Sequence, residues 1–392
     1  MSEKISIKEL LDGVEVEWVT LGDENFVNVA NSGRKPVKAS LRIAGDTPYY
    51  GANNIQDYVK GFTHDGEYVL IAEDGSASLE RYSIQYTNGK FWANNHVHVV
   101  SGKEKLNTRF LYHYLCIVNF IPFLTGGGRA KLTKGKMLEV SIPVPPLHVQ
   151  SEIVRILDNF TELTAELTAE LTARKKQYSY YRDTLLTFED GEVEFKLLGE
   201  VGEFIRGKRF VRDDMKDEGF PCIHYGEMYT HYNIWAKNSK SFISPELLEA
   251  KKLRTAEYGD VVIVAAGETI EDIGRGTAWM GNTGVVIHDA CFYFKSELNP
   301  KYVAYFTRTR FFHDQIKKHI SSGKISAINA NGLSKAIIPI PSHEEQERIV
   351  NILDKFDILT NSISEGLPKE IELRTKQYEY YRDLLLTFPK KD

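Results

Sequence analysis

One segment near the middle of the chain has apolar residues that recur at intervals of three or four, the spacing of a helix with one apolar face. Pro145-Pro146 comes just before it, where proline is compatible with a helix start. An unbroken helix over residues 150–188 would be ~58 Å long. It needs a partner to cover its apolar face, which is formed by Ile153, Ile156, Leu157, Phe160, Leu163, Leu167 and Leu171.

This segment recurs near the end of the chain. Residues 142–160 read IPVPPLHVQSEIVRILDNF, and residues 338–356 read IPIPSHEEQERIVNILDKF, at an offset of 196. Residues 176–188, KQYSYYRDTLLTF, match residues 376–388, KQYEYYRDLLLTF, at an offset of 200. The second copy thus has four extra residues, about one helical turn. We predict that the two helices pack antiparallel, and that Gly366-Leu367-Pro368 breaks or kinks the second one.

The two remaining stretches have short β-rich runs between turns, at 68–72, 96–100, 261–265 and 284–288. Each also contains a helical stretch, at 109–120 and 302–320. We therefore predict an α+β fold: two mixed α/β globular domains, two long helices packed as an antiparallel coiled coil, and a pseudo-two-fold internal repeat. The predicted boundaries are 1–145 and 191–341 for the domains, and 146–190 and 342–392 for the spacer helices.

The first helix contains a tandem four-residue unit, Thr164-Ala165-Glu166-Leu167 followed by Thr168-Ala169-Glu170-Leu171. One interpretation is an ordinary leucine-rich helix. The other is a length device, because adding or removing one unit would change the helix length by ~6 Å and rotate it by about 40° without interrupting it.

The net charge of −5 over 392 residues argues, as a total, against binding nucleic acid through bulk positive charge. However, each spacer segment has a net charge of −3, whereas the two domains have net charges of 0 and +1. Residues 105–138 and 298–343, at equivalent places in the repeat, are each +6. The distribution is therefore compatible with DNA binding, and it indicates that the chain alone binds DNA weakly.

The three cysteines, Cys116, Cys222 and Cys291, are too few and too far apart to indicate a disulfide framework or a cysteine-based zinc site. The first ten residues lack the apolar run of a signal peptide, and no stretch is apolar enough to span a membrane. The expected location is the cytoplasm.

This layout resembles the specificity subunit of type I restriction-modification systems. The resemblance rests on the two Ile-Pro-x-Pro runs and the two Gln-x-x-Ile-Val-x-Ile-Leu-Asp helix starts; the TAEL units and KQYxYYRD blocks are similar to the type IC branch. It implies a non-catalytic subunit whose two target-recognition domains each read one half of a split DNA sequence. The implied partners are double-stranded DNA, two methyltransferase subunits that use S-adenosylmethionine, and motor-nuclease subunits that can add to them. No cofactor is expected in this chain itself.

Base edges are read chiefly by Arg, Lys, Asn and Gln, and phosphates are contacted by Lys, Arg, Ser and Thr. The strongest candidate segments are TGGGRAKLTKGK (125–136) and SSGKIS (321–326), because they are basic and occupy matching places in the repeat. A solvated surface loop is the alternative for both. Their candidate DNA-binding residues, with the asparagine that follows, are Arg129, Lys131, Lys134, Lys136, Ser322, Lys324 and Asn329.

Other polar and aromatic turns are weaker candidates for DNA contact, and ordinary turn chemistry explains them equally well. In the first domain they are Tyr49, Asn53, Asn54, Asn94 and Asn95. In the second domain they are Arg206, Lys208, Arg209, His224, Tyr225 and Arg275.

The sequence has no evident catalytic set. Asn299-Pro300-Lys301-Tyr302 is similar to the Asn-Pro-Pro-Tyr loop of amino-methyltransferases, but its second proline is missing and no glycine-rich cofactor loop accompanies it. The glycine-rich segments lack phosphate-loop spacing. His96 and His98 alternate on a predicted strand, and no constellation of cysteines or carboxylates completes a metal site with them.

The alternative function is a coiled-coil scaffold whose two globular domains bind other proteins. The tyrosine pairs Tyr180-Tyr181 and Tyr380-Tyr381 could stack on bases. Their helical spacing instead favours the core of the paired helices or a surface for a partner subunit.

Overall fold

Both halves of the chain fold around β-sheets flanked by short helices, as the β-rich runs and turns predict. The computed structural model describes residues 13–126, 130–321, 323, 325–362 and 364–389. The chain divides into two units. Unit 1 comprises the residues up to 168 and from 370 onward, and unit 2 comprises residues 169–369. Each unit therefore contains one globular region and a part of each spacer segment.

The globular region of unit 1 is built on a mixed sheet with the strand order β2-β7-β5-β6-β3-β4. Its central strand β5 is apolar on both faces, and Val69, Leu70 and Ile71 are completely buried. A separate antiparallel pair joins β1 to β8, with Trp18 opposite Pro143. The strands are β1 Glu17–Thr20, β2 Val27–Val29, β3 Ala44–Tyr50, β4 Ile55–Val59, β5 His64–Ala72, β6 Ile84–Ala93, β7 Val97–Gly102 and β8 Ser141–Val144.

The helices of unit 1 are α1 Thr108–Leu115, α2 Lys134–Leu138 and the first part of α3 Leu147–Leu185. The side-chain oxygen of Asn107 caps α1 by accepting hydrogen bonds from the backbone N–H groups of Arg109 and Phe110. The prediction of a helix up to residue 120 was wrong, because α1 ends at Leu115. Asn119 accepts a hydrogen bond from the N–H of Ile121, and Pro122, which has no N–H, then lies in a 3-10 turn.

Unit 2 contains two larger sheets, with strand orders β10-β19-β15-β17-β12 and β13-β11-β18-β14, and two short pairs, β16-β20 and β9-β21. In the last pair Phe195 lies opposite Pro339, as Trp18 lies opposite Pro143 in unit 1. The strands are β9 Glu194–Leu197, β10 Gly202–Arg206, β11 Phe220–Ile223, β12 Trp235–Ala236, β13 Ser241–Ile243, β14 Thr255–Ala256, β15 Val261–Val264, β16 Ala266–Gly267, β17 Gly276–Trp279, β18 Val285–Ile287, β19 Cys291–Ser296, β20 Ser326–Ala327 and β21 Ile337–Ile340.

The helical stretch predicted at 302–320 is two helices. The hydroxyl of Thr309 accepts a hydrogen bond from the N–H of Phe312 and so starts a new helix. The helices of unit 2, besides the second part of α3, are α4 Leu198–Val201, α5 Tyr225–Thr230, α6 Pro245–Lys251, α7 Pro300–Phe306, α8 Arg310–Lys317, α9 Ala330–Ser334 and α10 His343–Asn361.

The second spacer segment is interrupted, as predicted. The helix α10 ends at Asn361, and α11 Gly366–Leu386 follows. Gly366 has a φ of +79°, and a Cβ atom there would lie 2.4 Å from the carbonyl oxygen of Ile358. Only glycine fits this position without strain. The first spacer helix α3, in contrast, continues through both TAEL units.

The spacer helices pack against each other through matching aromatic pairs. Phe160 on α3 stacks on Tyr381 of α11 in unit 1, and Tyr181 on α3 stacks on Phe356 of α10 in unit 2. Residue numbers rise along α3 as they fall along its partners in the second spacer segment, which confirms the predicted antiparallel pairing. No helix among the described residues is long and apolar enough to cross a membrane.

Candidate nucleic-acid interface

The two strongest candidate segments form loops closed by the same hydrogen bonds. In unit 1 the backbone groups of Thr125 and Lys131 bond to each other in both directions, at 2.8 Å each. In unit 2 Ser321 and Ala327 do the same, at 2.8 and 3.1 Å. The Thr125 and Ser321 hydroxyls also donate to the opposite carbonyl oxygen, at 3.1 and 3.0 Å. We call these segments the closed loops, 125–131 and 321–327.

The residues after each closed loop attach it to the sheet. The N–H of Leu132 donates to the carbonyl oxygen of Glu73, and the N–H of Ile328 donates to that of Ala265. Glu73 and Ala265 each follow the central strand of a sheet, β5 and β15. The next residues, Thr133 and Asn329, cap α2 and α9 through their side chains. The loops thus have the same framework, at an offset of 196, although their sequences differ.

The predicted loop-tip residues Arg129, Ser322 and Lys324 lie outside the described residues. Asn329 is exposed, but its side-chain oxygen is engaged as the α9 cap, where it accepts the Gly332 N–H at 2.8 Å.

Acidic side chains surround the closed loop of unit 1. The Lys131 ammonium lies 3.0 Å from Glu73, which is also paired with Arg34 at 2.6 Å. Burial alone would raise the pKa of Glu73, but hydrogen bonds from Arg34 and Lys131 outweigh it and lower that pKa. Asp74 pairs with His96 at 2.6 Å. The charge of Lys131 is therefore partly neutralised by the Glu73 carboxylate.

The other lysines of this segment differ in their surroundings. Lys136 lies 2.8 Å from Glu139, one turn away on the same helix. Lys134 is exposed, and no ion pair is recorded for it within the part of the chain that the structure describes. Lys134 is therefore better placed than Lys136 to meet a phosphate.

The asparagine candidates lie close to the same loop. Asn53 is exposed, and its side chain makes hydrogen bonds of 2.8 Å each to the backbone of Gly75 and Ala77. These two residues follow Glu73 and Asp74 closely in sequence. Asn54 and Asn95 are also exposed. The fold thus brings Asn53, Asn54 and Asn95 to the loop end of the unit 1 sheet.

Two candidates in unit 1 are buried, and their predicted DNA contact does not fit that burial. The Tyr49 side chain is 1% exposed, its hydroxyl accepts a hydrogen bond from the N–H of Val37 at 3.0 Å, and its ring stacks on Trp92. Asn94 is 4% exposed and its side-chain oxygen accepts the N–H of His96 at 2.8 Å. The pattern of polar and aromatic turn residues could not distinguish such core positions from surface positions.

In unit 2 several candidates gather around His288 and Asp289. Arg206 donates to the carbonyl oxygen of Asp289 at 2.9 Å. The His224 ring lies 4.5 Å from the ring of His288 and 4.6 Å from that of Tyr225, centroid to centroid. Burial lowers the pKa of both histidines. At neutral pH the two imidazole rings are therefore uncharged, and they offer hydrogen bonding and stacking.

The remaining basic candidates of unit 2 are less uniform. Arg209 is exposed and Lys208 is half-buried, both next to Arg206. Arg275 pairs with Asp272 at 3.4 Å, and its buried Nε has no hydrogen-bond partner among the described residues. The guanidinium group of Arg275 is therefore partly buried, and its side chain is 28% exposed.

Sequence analysis missed the residues that complete these clusters, namely Glu73, Asp74 and His288. Their contacts join positions far apart in sequence, so spacing carries no signal for them. His96 and His288 do lie 192 residues apart, the offset that also relates Asn107 to Asn299. That offset could have drawn attention to both histidines.

The described residues contain no group of three or more His, Cys, Asp or Glu side chains that could hold a metal ion. The clusters instead combine amides, imidazoles, carboxylates and cations on loops near the ends of sheet strands. Such groups can pair with base edges and phosphates.

Comparisons with known proteins agree on one family. The family described as "Type I restriction modification DNA specificity domain" matches residues 14–174 and 190–373. A protein of Haemophilus influenzae that carries the name type I restriction enzyme specificity subunit is 48% identical, over 97% of this chain and 98% of its own. An Escherichia coli type I restriction enzyme specificity subunit is 32% identical, over 100% of this chain and 99% of its own.

Solved structures share the fold. The S subunit of a type I restriction-modification system from M. genitalium has a TM-score of 0.59 at 14% identity, covering 97% of this chain and 98% of that one. A chain from a structure of type I restriction-modification complex assembly has a TM-score of 0.57 at 16% identity, covering 96% and 98%. None of these matches supports the scaffold alternative. The chain belongs to the family of type I restriction-modification DNA specificity proteins.

Proposed function

We propose that this chain is the non-catalytic DNA-reading subunit of a type I restriction-modification complex, and that each unit reads one half of a split target. The observation that carries this proposal is the pair of closed loops. Both have the same hydrogen-bonded framework and are attached to the residue that follows a central strand, yet they read TGGGRAK and SSGKISA. An invariant framework with different side chains suits one task performed on two different sequences.

The spacer helices serve as the connection that sets the gap between the two half-sites. The helix α3 is continuous from Leu147 to Leu185, so a length change within it is passed from one end to the other. This property is what a ruler requires.

The repeated KQYxYYRD block gives each unit the same exposed tyrosine surface, which supports the binding of one partner subunit to each unit. The KQYxYYRD block places Tyr180 on unit 2 and Tyr380 on unit 1, and the two side chains are 66% and 65% exposed. The next residues, Tyr181 and Tyr381, instead stack on Phe356 and Phe160 of the spacer helices. Exposed aromatic residues of this kind are typical anchors of protein interfaces. We assign them to two methyltransferase subunits, which bind S-adenosylmethionine and flip the target adenine; motor-nuclease subunits can add to this complex.

The test is co-expression with the neighbouring methyltransferase gene, followed by mapping of methylated adenines. The complex is expected to modify one bipartite sequence, and the isolated chain to transfer no methyl group. Replacing residues 126–130 should change one half-site only, and replacing residues 322–326 should change only the other. Methyl transfer by the chain alone, or a change of both half-sites by one loop, would contradict the proposal.

Docking is tested separately with Tyr180→Ala and Tyr380→Ala. Each is expected to yield complexes with a single methyltransferase subunit, measured by native mass spectrometry, while the double variant should bind none. Tyr258→Ala, at an exposed tyrosine of the unit 2 globular region, is the control and should leave the stoichiometry at two.

A further inference from the structure

A carboxylate on each spacer segment holds the short helix of the adjoining globular region. In unit 1 Asp158 on α3 lies 2.9 Å from Nε of Arg109 and 2.8 Å from Nε2 of His113, both on α1. In unit 2 Asp354 on α10 lies 2.6 Å from Nζ of Lys301 and 2.7 Å from the hydroxyl of Tyr305, both on α7. We call these two arrangements the aspartate clamps.

The clamps occupy equivalent positions but use different side chains. Arg109 and Lys301 each stand two residues after the capping asparagine, Asn107 or Asn299, and the second donor follows four residues later. Residues four apart lie on the same face of a helix. A cation and a neutral donor therefore converge on one carboxylate in both units. The geometry recurs even though the donors differ, which separates it from a chance surface ion pair.

An aromatic ring extends each clamp to a sheet. The Arg109 guanidinium lies 4.2 Å from the ring centroid of Tyr86 on β6. The Lys301 ammonium lies 4.3 Å from the ring centroid of Trp235 on β12. A cation over an aromatic face is attracted to it. Each clamp thus links sheet, short helix and spacer helix in one continuous set of contacts.

The electrostatics favour a closed clamp in unit 1. Burial by itself would raise the pKa of Asp158, but the hydrogen bonds from Arg109 and His113 outweigh it and lower that pKa. Burial lowers the pKa of His113, so its ring is neutral and donates from Nε2. Both the Asp158 and the Arg109 side chains are largely shielded, at 27% and 21% exposed. Charge-assisted hydrogen bonds in such surroundings are stronger than those at an open surface.

A second attachment lies two turns earlier on each spacer helix. The buried side chain of Gln150 accepts the backbone N–H of Asn107 at 2.8 Å, and that of Gln346 accepts the N–H of Asn299 at 2.9 Å. One attachment alone would permit the globular region to pivot about it. Two attachments, eight residues apart along the spacer helix, fix the orientation of the globular region relative to that helix.

We infer that Asp158 and Asp354 are positioning residues that set the angle of each globular region on its spacer helix, and thereby the precision of the gap between half-sites. This inference rests on the proposed function. It concerns how strictly one gap length is selected, and leaves the choice of bases to the loops.

The test uses the complex with methyltransferase and DNA targets whose gap is one base pair shorter, cognate or one base pair longer. Asp158→Asn and Asp354→Asn should each raise methylation of the altered-gap targets, relative to the cognate target, about tenfold, because one charged hydrogen-bond partner is lost. The half-sites should remain the same. Glu152→Gln is the control, since Glu152 on α3 pairs with Arg155 on the same helix, and it should leave gap selection unchanged.

Rescue separates positioning from simple destabilisation. The double variant Arg109→Lys/His113→Tyr gives unit 1 the donors of unit 2, and it should retain the wild-type gap selection. Tyr305→Phe removes one hydrogen bond and no charge, and should relax gap selection by a smaller factor even if the aspartate variants fail to fold. Unchanged gap selection in Tyr305→Phe and in every folded aspartate variant would overturn the inference. A wild-type complex that modifies no split sequence would instead defeat the proposed function.

Discussion

The ring of Phe160 stacks on the ring of Tyr381, with centroids 5.4 Å apart and planes inclined by 20°. Its counterpart Phe356 stacks on Tyr181 at 5.4 Å and 25°. The two aromatic pairs have the same geometry although their residues are related by different offsets, 196 and 200. In each unit, therefore, an equivalent phenylalanine–tyrosine stack joins the two spacer helices.

We predict that Phe160→Ala destabilises unit 1 by about 2 kcal/mol, because a half-buried ring and its stacking partner are lost. Amide exchange of residues 370–386 should become about 30-fold faster, as measured by hydrogen exchange and mass spectrometry. Phe356→Ala is the matched variant and should affect residues 173–185 instead. Equal acceleration in both units by either substitution would show that the aromatic pairs do not act locally.

The buried glutamines should differ in importance. Gln150 makes hydrogen bonds to the backbone of Asn107, Lys105 and Pro145, whereas Gln346 bonds to Asn299 and Pro341. Truncation leaves these buried groups without partners, which costs about 1–3 kcal/mol or more. Gln150→Ala should therefore lower the free energy of unfolding, measured in urea, more than Gln346→Ala does. The reverse order would indicate that the third bond contributes nothing.

Lys134 should contribute to DNA affinity through a phosphate. Lys134→Ala is expected to weaken binding of the assembled complex about three- to tenfold for all sequences, and to reduce the salt dependence of log K by about 1. Lys136→Ala is the control, since its ammonium already pairs with Glu139. A loss confined to one DNA sequence would assign Lys134 to base recognition instead.

Acid should destabilise the chain below about pH 6.5. Burial lowers the pKa of His98 and of His113, so each remains neutral in the fold while its unfolded counterpart takes up a proton. The unfolded state then binds more protons than the folded state. The free energy of unfolding therefore falls as the pH falls, by at most about 1.4 kcal/mol per pH unit for each histidine. The contribution of Asp158, whose pKa is lowered, is lost only at more acidic pH.

The acid destabilisation is measured as the free energy of unfolding at pH values between 7.5 and 5.5. His113→Tyr, the residue type that unit 2 has at this position, should reduce the dependence of stability on pH by up to about 1.4 kcal/mol per pH unit, the value for one proton. Stability that is constant or rises on acidification would contradict this assignment.

The ruler is tested by inserting one Thr-Ala-Glu-Leu unit after Leu171. The insertion adds ~6 Å to α3, equivalent to one or two base pairs at ~3.4 Å each. The modified half-sites should stay the same while the gap lengthens, as read from sequencing of methylated adenines. Changed half-sites with an unchanged gap would contradict the ruler.

Much of the fold was predictable because it is repeated. Helical spacing identified α3, and the matching blocks identified its partner and their direction. The glycine and proline at 366–368 located the break. The ends of the short helices were less predictable: α1 stops at Leu115 because Asn119 and Pro122 create a turn, and hydrophobic spacing does not encode that competition.

The candidate interface was predictable only where the repeat marked it. The closed loops were singled out because both are basic and lie at matching positions. Tyr49 and Asn94 belong to the interior, and only the sheet reveals this. The clamp partners Arg109 and Asp158 are separated by 49 residues, so their pairing depends on how α1 folds back onto α3. Contacts of that kind arise from tertiary structure and leave no local sequence pattern.

The interruption between Asn361 and Gly366 makes the two spacer segments mechanically unequal. The four extra residues of the second copy fall between its matching blocks, the interval that also contains the interruption, whereas α3 has no such joint. A change in length along α3 falls within one continuous helix, whereas a change between Asn361 and Gly366 falls between two helices. Lineages that alter their target spacing would therefore be expected to accumulate insertions in the first segment and to tolerate neutral length variation in the second.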